Sequence, residues 1–254
     1  MRILNELLTE NKDFDLFNHS IILGYVGSIS HGTYIPNYID DKDVMGIIVP
    51  PIDYFFGLKE FGSRNTLVLQ KKYWDVVLYD IRKFVFLLLK NNPNVLGLLW
   101  LPEDLYLRKT LIGDELIKNR DLFSSKLAYN SFCGYAYSQL KRMEHGSTQG
   151  YMGEKRKELI YKWGFDCSNA SHLIRLLEMG IEFLKTGQVN VFRKNKSKLI
   201  EIKKGLWTLE QVKNEANRLF KDMEDIKDKS VLPDKPNYKT VNELLIDLLT
   251  TYFK

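Results

Sequence analysis

Asp41 and Asp43, separated by Lys42, are the side chains in this chain with the clearest chemical meaning. They open an apolar run, Val44 to Val49, that reads as a strand. Residues two apart on a strand project to the same face, so the two carboxylates stand together while Lys42 turns away. Adjacent carboxylates repel, and a hard divalent cation with oxygen ligands relieves that repulsion. Upstream, a strand-like run from Ile21 to Val26 breaks at Gly27-Ser28. Glycine permits a tight turn and a close approach of another group to the backbone. A short helix starting at Ser28 would aim free N–H groups at a phosphate. A phosphate seat beside a cation-binding acid pair is the equipment for moving a nucleotidyl or phosphoryl group. Such a site needs a third carboxylate from a neighbouring strand, to complete the cation's ligands or to take the attacking hydroxyl's proton. Asp75 is the choice, because it opens a strand-like run with Val77 and Tyr79 on its own face. Asp80 competes for the role, but its place at the head of an apolar helix fits an N-cap better.

The elements that must position these residues follow from hydrophobic period and breakers. An amphipathic helix is expected over the first ~20 residues, carrying Ile3, Leu4, Leu7, Leu8 and Phe14 on one side. Strands are expected over 21–26, 44–49, 66–70 and 73–79, the second stopped by Pro50-Pro51, which cannot continue a central ladder. Ile81, Phe84, Val85, Leu88 and Leu89 then form the core stripe of a helix, ended at Asn91-Asn92-Pro93. The rest is almost all helical, with helices expected at 122–144, 155–163 and 168–185 and a short strand-like run from Leu199 to Ile202. Thr208 with Gln211 and Thr240 with Glu243 have capping-box spacing, opening helices near 209–228 and 241–253.

Bulk composition narrows the class. At 254 residues the chain can form one large or two modest domains, and its 44% hydrophobic and 27% charged content is that of an ordinary soluble protein. No apolar run nears the ~20 residues of a membrane helix, and the N-terminus lacks a signal peptide's apolar stretch. Two cysteines make neither a disulfide framework nor a metal cluster, so a reducing cytoplasm is the expected compartment. The net charge of +5 is concentrated: residues 126–204 hold 15 Lys/Arg against 7 Asp/Glu. A basic middle beside a slightly acidic first half fits a phosphate-bearing ligand as well as a solvated basic face. No G-x-x-x-x-G-K-[ST] is present to make a P-loop, and no groove-reading DNA motif is recognisable.

Several motifs occur in a fixed order: Gly27-Ser28, His31-Gly32-Thr33, Asp41-Lys42-Asp43, Pro50-Pro51, Asn92-Pro93-Asn94-Val95-Leu96, and Gly164-Phe165-Asp166 followed by Ala170-Ser171-His172-Leu173-Ile174-Arg175-Leu176. Over residues 24–205 this set resembles the polymerase-β-like nucleotidyltransferase superfamily, and within it a bacterial and phage subgroup associated with RNA repair. The resemblance implies an α+β fold: a small mixed β-sheet nucleotidyltransferase core with helices over 1–118, then a mainly α-helical domain over 119–254 that completes the cleft. It implies Asp41, Asp43 and Asp75 as catalytic residues holding two Mg²⁺ or Mn²⁺ ions. A nucleoside triphosphate, ATP favoured, would be the substrate, and an RNA end the acceptor, with no membrane and no stable protein partner. Gly27 and Ser28 would cradle phosphates, with His31, Arg156, His172 and Arg175 contributing to nucleotide or phosphate binding. Two positions depart from the pattern: Asp40 stands where Ser or Thr is usual, and Ile29 where many relatives carry a basic residue.

Other readings stay open beside that one. His31 in a turn, and the basic run Lys155-Arg156-Lys157, serve structure or solvation equally well. Arg175 could simply pair with Glu178, three residues on. The same core transfers nucleotides to protein side chains or small molecules, and a degenerate copy would bind nucleotide or RNA and regulate without chemistry.

Overall fold

The computed structural model describes residues 2–9, 13–35, 41–144 and 160–254. The chain divides into two compact units, one drawn from residues 1–90, 94–123 and 236–254, the other from 91–93 and 124–235. The fold is α+β, with a five-stranded mixed sheet and a mainly helical C-terminal region. The expected boundary at 118/119 falls close to the division after Phe123, but residues 236–254 group with the first unit.

The first unit runs α1 (Arg2–Thr9), β1 (Ser20–Tyr25), α2 (Gly27–Ser30), β2 (Lys42–Ile48), α3 (Asp53–Phe56), β3 (Thr66–Lys71), β4 (Trp74–Asp80), α4 (Ile81–Leu89), α5 (Pro93–Leu96, its first residue counted with the second unit), β5 (Tyr106–Lys109) and α6 (Leu111–Lys118). The sheet order is β3-β4-β2-β1-β5, with β2 and β4 parallel and the other neighbours antiparallel. Both faces are covered. Val44, Ile48, Trp74, Val76 and Leu78 form one buried cluster with Leu4, Leu7 and Leu8 of α1, each such side chain contributing about 1.5–3 kcal/mol. α4 packs against β2 and β4, burying Ile81, Phe84, Val85 and Leu88. Asp80 caps it: its carboxylate accepts from the Arg82 N–H at 2.7 Å and from the Arg82 guanidinium at 2.8 Å.

The second unit holds α7 (Leu127–Glu144), α8 (Cys167–Thr186), α9 (Lys196–Lys203) and α10 (Leu209–Lys227), with α8 packed on the other three. Asp166 opens α8 by accepting from the Asn169 N–H at 2.9 Å. At the head of α10 both halves of the Thr208–Gln211 capping box are formed. α11 (Tyr238–Tyr252) then packs on α4 and α6 of the first unit.

Several expectations are corrected. The N-terminal helix is described over Arg2–Thr9, and residues 13–19 form bends and turns rather than more helix, with the Asp15 carboxylate accepting from the Asn18 N–H at 2.9 Å; such local side-chain bonds favour turns over helix. The run Leu199–Ile202 is helical, because Leu199 and Ile202, three apart, both bury in α9. α11 begins three residues earlier than expected, where Asn237 accepts from the Thr240 N–H at 3.2 Å. The helix expected from 122 starts at Leu127, after a 3₁₀ turn over Arg120–Phe123. No helix among the described residues is long and apolar enough to cross a membrane.

Candidate active site

β1 delivers the chain into a sharp turn at Gly27, where φ is +62°. That left-handed conformation suits glycine. A second reason is steric: a Cβ on Gly27 would collide with the Asp43 carboxylate oxygen Oδ2. The Val26 N–H donates to the Asp43 carbonyl at 2.9 Å, continuing the β1–β2 pairing and holding turn and acid together. The turn closes on itself, with His31 N–H to Gly27 O at 3.2 Å, Thr33 N–H to Ser28 O at 2.9 Å and the Ser30 hydroxyl to Gly27 O at 2.9 Å. His31 is buried in this knot. The Ser28 hydroxyl oxygen is buried and, among the described residues, has no hydrogen-bond partner. α2, at four residues, is little more than one turn, so a phosphate seat here depends on that hydroxyl and the local N–H groups rather than on a helix dipole.

The acids come from two strands. In the parallel ladder Asp43 is the direct partner of Asp75, one strand spacing away, about 4.8 Å in backbone terms. Partners in a parallel ladder point to the same face. Lys42 identifies which face: its Nζ lies over the rings of Tyr73 and Trp74, at 5.5 and 5.1 Å, and Trp74 belongs to the cluster beneath α1. Asp43 and Asp75 therefore occupy the opposite face, and both are partly exposed. Asp41 precedes β2 by one residue and is also partly exposed. Among the described residues no three His, Cys, Asp or Glu side chains are gathered tightly enough to hold a metal ion. The donor chemistry still fits a hard cation: oxygen ligands from adjacent strands, beside an unpartnered hydroxyl.

Thus the first unit brings together Gly27, Ser28, His31, Asp43 and Asp75, with Asp41 at the strand entrance. His172 and Arg175 lie three residues apart on α8 of the second unit. Arg156 and Asp40 lie outside the described residues. Sequence spacing alone does not announce that Asp43 rests against Gly27. The glycine itself is the only sequence signal for that contact.

A glycine-serine turn after β1, and register-paired acids on the parallel strands β2 and β4, define a polymerase-β-like nucleotidyltransferase. The chain belongs to the RNA repair pathway DNA polymerase beta family, whose profile matches residues 3–247. It is also similar to the crystal structure of a nucleotidyltransferase-like protein from Exiguobacterium sibiricum, at 12% identity, over 84% of this chain and 70% of that one, with a TM-score of 0.30; so low a score bears no weight. No curated protein matches the chain.

Proposed function

We propose that this nucleotidyltransferase moves a nucleoside monophosphate from a nucleoside triphosphate, ATP favoured, to the hydroxyl at an RNA end, without a template and with Mg²⁺ or Mn²⁺. The observation that carries this reading is the Asp43–Asp75 register pair set against the Gly27 turn. Asp41, Asp43 and Asp75 would hold the metal. When bound, such an ion neutralises triphosphate charge and lowers the pKa of the attacking hydroxyl. The chain's own part is positioning. Gly27 lets the triphosphate approach the backbone, and the Ser28 hydroxyl donates to a phosphate oxygen. Asp75 would accept the proton as the hydroxyl oxygen forms its bond to the α-phosphorus and the bond to the pyrophosphate oxygen breaks. RNA as acceptor draws support from the family's RNA repair association and from the basic stretch 126–204.

The test incubates the full chain with each α-labelled NTP, Mg²⁺ or Mn²⁺, and a pool of small RNAs including tRNA, beside Asp43→Asn and Asp75→Asn proteins. Label should appear on RNA with the wild type and fall about a hundredfold or more in either variant. Label on the protein itself, or none on any RNA, would overturn the RNA-end assignment.

A further inference from the structure

Two of the four tryptophans, Trp74 and Trp100, are buried in the first unit. The other two, Trp163 and Trp207, are part-exposed in the second unit, and both lie beside Gly205. That glycine ends α9 with φ at +73°, its N–H donating to the Ile202 carbonyl at 3.0 Å. A Cβ on it would strike Cδ2, Cε2 and Cγ of the Trp163 indole, so its backbone lies against the indole face. The contact ties the segment before α8 to the loop between α9 and α10. Tyr161, just before it in the chain, is 95% exposed, and Leu206, next to Gly205, is 66% exposed. A single exposed apolar side chain needs no explanation, whereas several gathered at one contact mark a surface that is covered in use.

The charges there are also uncompensated. Lys162 and Lys204 are exposed, and among the described residues neither has a carboxylate partner. Lys162 Nζ instead lies 4.8 Å from the centre of the Trp163 ring. By contrast, Lys198 Nζ, 5.7 Å over the Trp207 ring, is bound by Glu178 and Glu215. The nearby acid Glu201 accepts from the Trp207 indole N–H at 3.5 Å. Exposed rings interleaved with unneutralised lysines fit a single nucleic-acid strand. Every base offers a π-face to stack, and every linkage a negative charge. A duplex keeps its base faces stacked inside, so it would engage the lysines alone.

We propose that the Trp163–Gly205 contact, with Tyr161, Lys162, Lys204 and Leu206 around it, is a docking surface for single-stranded RNA. The choice of RNA, as the acceptor, rests on the nucleotidyl-transfer reading; the surface stands on its rings and lysines.

Fluorescence anisotropy of a labelled oligouridylate, titrated with the full chain over a range of salt concentrations, tests it. The Tyr161→Ser, Leu206→Ser double variant should bind the strand about tenfold or more weakly than wild type. Its Tm should not change, because both side chains are exposed. The Lys162→Gln, Lys204→Gln double variant should flatten the slope of log K against log salt by about 1.4, or ~0.7 per lysine. Wild type should prefer the oligouridylate to an RNA duplex of the same length. A wild type that ignores the strand, double variants that bind it as wild type does, or equal binding of strand and duplex would each overturn the surface. So would sedimentation showing wild-type dimers and Tyr161→Ser, Leu206→Ser monomers, since the patch would then be covered by a second copy of the chain. Asp43→Asn protein should bind the strand as tightly as wild type. A dead transfer assay with strand binding intact therefore counts against the catalytic reading alone. Label moved to RNA equally well by wild type and both double variants counts against the surface alone.

Discussion

The contact between Gly27 and Asp43 joins backbone conformation to chemistry at a single residue. With φ at +62° and a carboxylate oxygen where a Cβ would go, an alanine there is strained and pushes Asp43 aside. The strain costs about 1–2 kcal/mol, whereas displacing a catalytic group by ~1 Å can cost about a hundredfold in rate. Gly27→Ala should therefore lose about a hundredfold in nucleotidyl transfer with a fall of only a few degrees in Tm. Gly187→Ala is the control: φ there is +72° at the C-terminal end of α8, in the second unit. It should lose comparable stability and keep its activity. If both variants lost activity in proportion to stability, the Gly27 contact would be a folding feature only. The residue types of this site were legible from sequence, because Gly-Ser and Asp-x-Asp are chemically unusual where they stand. The pairing of Asp43 with Asp75 was not, since strand register depends on which strands become neighbours, and β3 intervenes in the chain.

Elements were legible where local chemistry decides and illegible where partners do. Asp80 and the Thr208–Gln211 box are caps in both sequence and structure, because a cap is made within four residues. β5 went unread. Its four residues, Tyr106–Lys109, have no strong alternation and exist as a strand because β1 offers an open edge. The ion cluster joining α8, α9 and α10 is likewise invisible in one dimension. In it Glu215 accepts from Arg218 at 2.9 Å and is also bridged to Lys198. The Arg218 hydrogen bond first, and Lys198 second, hold the Glu215 carboxyl at about 2, against an ordinary 4.5. A depressed carboxylate pKa means the unfolded chain binds the extra proton first. The stabilisation is complete above about pH 4.5 and is lost as pH falls through about 2. Because Arg218 is 57% exposed, solvent screens part of the pairing, leaving about 2 kcal/mol. Urea unfolding of wild type and Glu215→Gln should show the wild-type advantage shrinking by that amount between pH 5 and pH 2. A difference that stays constant with pH would remove the ion cluster from the account.

For the molecule as a whole, the chain's last helix belongs to the unit with which the chain begins. Val241, Leu244, Leu245, Leu248, Leu249 and Tyr252 recur at helical spacing, which requires an apolar partner for α11 without naming it. In the structure Val241 and Leu248 are buried, the Tyr252 hydroxyl lies 3.0 Å from His19 Nδ1, and Phe253 meets Phe55 edge-on with ring centres 5.4 Å apart. His19 Nδ1 is also 3.0 Å from the Val49 carbonyl just past the end of β2, the strand that carries Asp43. α11 therefore braces the far end of the acid-bearing strand, at Val49, six residues beyond Asp43. Removing residues 236–254 should uncover apolar surface on α4 and α6 and cost the first unit about 3–6 kcal/mol, from two buried aliphatic side chains alone. Amide hydrogen exchange on the truncated chain reads the consequence unit by unit. Protection should collapse in β1, β2 and β4 and persist in α7, α8 and α10, with nucleotidyl transfer abolished. Persistent protection in the sheet, with loss in α7 and α8 instead, would mean that the last helix stabilises the helical unit.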